Sequence, residues 1–173
     1  ADKAVHTTQT WDELQSLTND LASSSPIKPW SLGAKDSWTL TDWFENVYAR
    51  TAGPEKYNQL FSGEIPFTDP TVKNAIEMMT KMLNDNTVAG GIDGALGTGF
   101  VDGIGKVFSA NRSAHMYMEG GFVGGITLAD VNPNVKPGES IDFYPFVTID
   151  TSKFYQAFDQ TLYPAIRASR LAV

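Results

Sequence analysis

The chain of 173 residues has no cysteine and only two histidines. The first absence removes disulfides, thiolate metal sites and cysteine nucleophiles together, while leaving the compartment open. The second argues against a histidine-based metal cage or catalytic triad: His6 lies near the start, and His115 sits in an apolar stretch that reads as a strand, where a half-buried, hydrogen-bonded ring is the simpler reading. No apolar run reaches the length of about eighteen residues that crosses a bilayer. The first residues also lack the charged start and apolar centre of a secretion signal. Basic residues are few, 13 against 20 Asp and Glu for a net charge of −7, and they do not cluster. A sequence-independent grip on nucleic acid, which needs grouped Lys and Arg, is therefore not expected.

What is present suits a globular chain: 42% apolar and 12% aromatic residues, enough to bury a core within one domain over residues 1–173. The chain begins at Ala1 rather than Met, as a processed or excised product would. Thr10 before Trp11-Asp-Glu13 predicts a capped helix to about Ala22, with Trp11, Leu14, Leu17 and Leu21 as its apolar stripe. Ile27–Leu32 reads as a strand that Pro29 pushes toward an edge, and Gly33–Leu40 as a loop. A second helix opens at Thr39 or Thr41 and carries Trp43, Phe44, Val47 and Tyr48 to Ala52. Glu55–Phe61 adds further helical turns, and Pro70–Asn84 a long helix on which Met78, Met79 and Met82 read as core rather than an adaptable binding face.

Seven glycines between Gly90 and Gly105 form the one compositional anomaly. Gly105-Lys106 is followed by Val107, so the phosphate-loop ending fails. Gly97-Thr-Gly99 lacks both the spacing and the preceding strand of a dinucleotide fingerprint. A flexible loop leading into a helix from about Gly99 to Ser109 is the preferred reading. A tight turn and the His115–Met116 strand follow, then Glu119, the pair Gly120-Gly121 and a short helix over Phe122–Leu128. Asn132–Gly138 is a loop, Phe143–Ile149 a strand bent by Pro145, and a closing helix starts at Thr151 or Ser152 with a kink at Pro164.

Function, on this pattern, belongs to loops that carry aromatic and acidic residues: Asp36, Trp38, Asp42 and Trp43, then Glu119 and Phe122, then Tyr144. Glu119 ends a strand, and the two glycines after it remove bulk that would keep a ligand from the backbone. Sugars present C–H faces that pack on rings and hydroxyls that need acceptors, so rings beside carboxylates suit them. Trp43 shares a helical stripe with Phe44 and Val47, which also fits the core.

Several segments carry a resemblance. Phe108-Ser-Ala-Asn-Arg-Ser-Ala-His-Met116 resembles a Phe-x-x-Gly-x-x-Ala-Met turn, with Asn111 and His115 in place of the usual Gly and Ala. Trp11-Asp-Glu-Leu14, Leu32-Gly-Ala-Lys-Asp-Ser-Trp38, Leu40-Thr-Asp-Trp-Phe-Glu-Asn46, Thr51-Ala-Gly-Pro-Glu55, Gly63-Glu-Ile-Pro-Phe-Thr-Asp-Pro70 and Met116-Tyr-Met-Glu-Gly120 follow in the order seen in family-1 extracellular solute-binding proteins of carbohydrate ABC transporters. The resemblance covers most of residues 10–147. It implies an α/β fold, a helix-rich lobe with a small sheet of the periplasmic-binding-protein type II kind, matching the second lobe. It further implies sugar contacts from Asp36, Trp38, Trp43, Glu119 and Phe122, the last where Trp is common. No cofactor, metal or catalytic residue is implied. The implied partners are a carbohydrate, a complementary lobe and membrane permease subunits. The implied location is periplasmic or extracellular, with a membrane anchor on the full-length protein as a further option.

Such proteins hold ligand in a cleft between two lobes, and this chain has room for one, either excised or a natural single-lobe relative. A lone lobe would bind weakly. Two other classes compete: a protein-docking module that uses the same aromatics, and a glycoside hydrolase built on Glu119 and Asp42, whose carboxyls would need to stand about 5–9 Å apart.

Overall fold

A computed structural model describes residues 10–149 of the chain. The closing helix expected from Thr151 or Ser152, its kink at Pro164, and His6 lie outside the described residues. The described residues divide into two compact units, one of residues 10–43 together with Met79–Val147, the other of Phe44–Met78 together with residues 148–149.

The first unit opens with helix α1 (Trp11–Ser24), started by the expected capping box. The Thr10 side chain accepts from the Glu13 N–H, and the Glu13 carboxylate accepts from the Thr10 N–H, so two backbone donors with no partner inside the helix are satisfied. Its buried face is Trp11, Leu14, Thr18 and Leu21. Strand β1 (Lys28–Ser31) pairs in parallel with β2 (Ala114–Tyr117), Trp30 lying opposite Met116. On its other side Trp30 bridges Val88, with its N–H donating to Thr87 O and its carbonyl accepting from the Ala89 N–H. The edge position expected from Pro29 is therefore corrected: β1 lies between two neighbours. Pro29 is tolerated there because it removes one donor from a pairing only four residues long, while Lys28 and Trp30 on either side both use theirs.

Helix α2 (Trp38–Ala52) begins earlier than Thr39 or Thr41, and Thr39 does not cap it. The Thr39 hydroxyl donates instead to Gly33 O at 2.8 Å. α2 leaves the first unit after Trp43, and α4 (Pro70–Met82) enters it at Met79. Part of the expected glycine-rich loop is helix α5 (Gly91–Gly97), made possible by left-handed Gly90 and Gly91 and by the Asp85 carboxylate accepting from the Ile92 N–H. Helix α6 (Phe100–Phe108) follows the expected bounds closely. After β2 come helix α7 (Phe122–Ile126) and a π-helical turn over Thr127–Val131. The strand expected over Phe143–Ile149 does not form: residues 142–147 have no regular structure, and Phe146 serves the core with its ring.

That core holds an aromatic column. Trp30 and Trp43 meet edge to face at 5.2 Å, as do Trp43 and Phe146 at 5.7 Å, and Phe146 and Trp11 meet at a tilt of 54° with centroids 6.3 Å apart. The Trp30 indole N–H donates to the Thr18 hydroxyl, which donates to the Met82 sulfur, so a buried polar pair is satisfied in sequence.

The second unit contains the rest of α2, helix α3 (Pro54–Phe61) and the first part of α4. Gly53, at φ +87°, turns the chain between α2 and α3, and Pro54 opens the new helix. Val47, Tyr48, Leu60, Val72 and Ala75 are buried. The Tyr48 hydroxyl shares a hydrogen bond with that of Thr71, and the Asp69 carboxylate accepts from both the N–H and hydroxyl of Thr71 at the start of α4. Those two bonds hold the Asp69 carboxyl below its usual range.

Candidate functional site

Because β1, β2 and the Val88 segment run parallel, their carboxyl ends leave the sheet on one side, where ligands of open α/β sheets bind. Leu32–Ser37 follows β1, Met118–Gly121 follows β2, and Ala89–Gly91 follows Val88. The first of these turns is clamped backbone to backbone: the Ala34 N–H donates to Ala95 O, and the Lys35 N–H to Thr98 O. Gly33 makes the approach possible, since a Cβ there would stand 2.7 Å from Gly99 O and 2.9 Å from Phe100 Cα. The same approach sets Phe100, the first residue of α6, beside Trp38, the first residue of α2.

Phe100 joins three rings. Trp38 lies 4.7 Å away between ring centroids, Phe122 6.0 Å and Tyr117 6.3 Å. The Tyr117 hydroxyl also donates to Phe100 O. Trp38 is 38% exposed and Phe122 53%, so this cluster is a surface with a half-buried foundation. Phe122 folds back over Gly120, whose missing side chain leaves room for the ring. The space expected to admit a ligand at Gly120 is thus filled by Phe122, and Gly121 is the open one of the two.

Asp42 stands one helical turn beyond Trp38 and therefore on the same side of α2. Its carboxyl is hydrogen-bonded to that of Glu119, which requires a proton between them. Burial first, and then Asp42, push the Glu119 carboxyl up from 4.5 to about 8. The Glu119 Oε1 atom is buried without a hydrogen-bond partner among the described residues. Burial, with the Glu119 charge in addition, also raises the Tyr117 phenol.

The structure therefore brings Trp38, Phe122 and Glu119 into one neighbourhood, linked through Phe100, Tyr117 and Asp42. Asp36 sits beside Trp38, exposed, with its carbonyl accepting from the Trp38 N–H. Trp43 is placed elsewhere: at 1% exposure it belongs to the aromatic column, and its indole N–H has no partner among the described residues. The helical stripe it shares with Val47 was the signal for this. Tyr144 is half-buried and donates to the Met116 sulfur, and burial pushes its phenol up to about 12. His115 is the satisfied strand residue expected, with its ring on the Ser25 hydroxyl at 2.8 Å. Phe100 and Tyr117 were not singled out by sequence, because their place depends on a close approach of two turns far apart in the chain. An open depression of about 340 Å³ beside Asp102, Lys106 and Asp130 includes none of these residues. Ser113, on its rim, precedes β2, so it lies by the opposite end of that strand.

No family model matches the chain. Its sequence is similar to the osmoprotective compounds-binding protein GgtB of Synechocystis sp., 32% identical over 146 residues that cover 82% of this chain and 33% of that protein. It is also similar to the alpha-glucosides-binding periplasmic protein AglE of Rhizobium meliloti, 30% identical over 162 residues, 88% of this chain and 33% of that protein. A shorter match, 30% identical over 73 residues, covers 42% of this chain and 16% of an uncharacterized ABC transporter extracellular-binding protein of Pyrococcus horikoshii. Among solved structures, the fold matches the bacterial solute receptor AcbH, described as having an exclusive preference for β-D-galactopyranose. The TM-score is 0.71 at 22% identity, over 87% of this chain and 36% of that one. The chain thus spans about a third of the length of GgtB and AglE.

Proposed function

For a chain that belongs, as a segment, to the extracellular solute-binding proteins of ABC transporters, we propose that it is one lobe of a carbohydrate receptor and carries half of the sugar groove. The observation that carries this reading is the meeting of Trp38, Phe122 and Glu119 at the carboxyl side of parallel strands. Rings tilted about Phe100 offer apolar facets to pyranose C–H faces, and the Asp42–Glu119 pair, its proton held between the two carboxyls, offers its remaining oxygens as acceptors to hydroxyls. Trp38, Phe122, Glu119 and Asp36 are the contact residues of this reading. A complementary lobe supplies the opposite wall, and permease subunits receive the sugar. The place of action is periplasmic or extracellular.

Names of binding proteins among the relatives favour a receptor over an enzyme. Separate faces for Trp38, Glu119 and Phe122 would favour the docking-module alternative, whereas Phe100 joins the rings of Trp38 and Phe122.

Titration of the chain with D-glucose, D-galactose, maltose and trehalose, followed by the Trp38 indole resonance, tests the reading. Binding in the range of about 1 mM, lost in Trp38→Ala, is the expected result, because closure by a second lobe is missing. A resonance that no sugar moves would reject the groove, and micromolar binding would reject the half-groove.

A further inference from the structure

We propose that Phe100 is the positioning residue of this groove, holding Trp38 and Phe122 as one wall. The inference rests on the sugar-groove reading for its purpose, and on ring geometry for its substance. Trp38 and Phe122 come from segments 84 residues apart, and their rings are joined through Phe100, at 4.7 Å and 6.0 Å. Both are substantially exposed, so neither gains much fixity from burial. An exposed ring on a turn samples several rotamers, and a ligand that stacks on it must order it first. A ring already packed on a fixed neighbour has less freedom to lose.

Phe100 is fixed where the other two are not. It opens α6, with Gly99 as the residue before the helix, and its Cα lies against Gly33 so closely that a Cβ on Gly33 would stand 2.9 Å from it. Its carbonyl accepts from the Tyr117 hydroxyl, and the Tyr117 ring backs it at 6.3 Å on the strand side. Gly103, one turn along α6, continues this close approach: a Cβ there would meet Gly33 Cα and Tyr117 Cε2 at 3.0 Å. The packed backbone of two turns thus passes through Phe100 to the two rings that face solvent. Interplanar angles of 52° and 50° make the wall faceted rather than flat.

The full chain without ligand supplies the first test. Trp11, Trp30 and Trp43 are 4%, 2% and 1% exposed against 38% for Trp38, so acrylamide quenching reads chiefly Trp38. Phe100→Ala is expected to raise that quenching and to shift the Trp38 indole resonance as the neighbouring ring current disappears. Phe100→Tyr is expected to restore both. In the same variants, whichever of D-glucose, D-galactose, maltose or trehalose the parent chain binds should bind about tenfold more weakly to Phe100→Ala and within about twofold of the parent to Phe100→Tyr. Should Phe100→Ala fail to fold, Phe100→Leu keeps the apolar bulk without the ring and gives the same readouts. Unchanged quenching and an unmoved Trp38 resonance would overturn the inference. If the parent chain binds no sugar, the groove reading falls, and quenching still decides whether Phe100 holds Trp38.

Discussion

The ring of Phe122 occupies the space a side chain would need at Gly120: a Cβ there would come within 2.5 Å of Phe122 Cε1 and 2.9 Å of Cδ1. Phe122 is 53% exposed, so a methyl at Gly120 can push its ring off Phe100 toward solvent, and Gly120→Ala is expected to displace the ring rather than unfold the chain. The melting temperature should move by less than about 2 °C. Sugar affinity should fall several-fold as the wall loses one facet, measured by titration against the parent chain.

Gly33 answers differently, because its neighbours at 2.7 Å and 2.9 Å are backbone atoms of Gly99 and Phe100 and cannot step aside. Gly33→Ala should destabilise by about 1–3 kcal/mol, read from the urea midpoint at constant slope. The Trp38 environment should change with it.

Glu119 sets a pH dependence. Its carboxyl rises from 4.5 to about 8 on folding, so between those values the folded chain keeps a proton that the unfolded chain has released. Stability is then greatest below the unfolded value and declines as pH rises toward the folded one. Glu119→Gln, neutral at every pH, should remove that decline and exceed the parent at pH 8. The gain should be on the order of 1 kcal/mol, or about 3 °C in melting temperature, after allowance for the half-exposed position. A parent chain whose stability rises over this window would contradict the assignment.

Trp38 and Trp43 are five residues apart on one helix and should separate cleanly. Trp43→Ala empties a position in the aromatic column and should cost about 3–5 kcal/mol. Trp38→Ala should cost under about 1 kcal/mol and remove sugar binding.

Local chemistry was the legible part of this fold. The Thr10 and Glu13 capping box, Pro54 and Pro70 at helix starts, and the strand around Met116 follow from neighbouring residues. The central place of β1 was hidden because its partners at Val88 and Met116 are distant in sequence, and only their pairing outweighs the edge tendency of Pro29. The early start of α2 was hidden for a related reason: Ser37 takes a left-handed φ of +65°, and the Thr39 hydroxyl is spent on Gly33. At the site, residue chemistry pointed to Trp38, Glu119 and Phe122. Phe100 and Tyr117 carry no such mark, because what recruits them is the absence of a side chain at Gly33 and Gly103.

With no thiol in the chain, its sulfur resides in five methionines, and two of these thioethers act as hydrogen-bond acceptors, Met82 for Thr18 and Met116 for Tyr144. Both are buried, at 0% and 6% exposure, whereas Met78, Met79 and Met118 are only partly covered. Peroxide should consequently convert the latter three to sulfoxides first, leaving the two acceptor sulfurs intact until the chain opens. Mass spectrometric detection of sulfoxide at Met82 is therefore a chemical clock for loss of the native state.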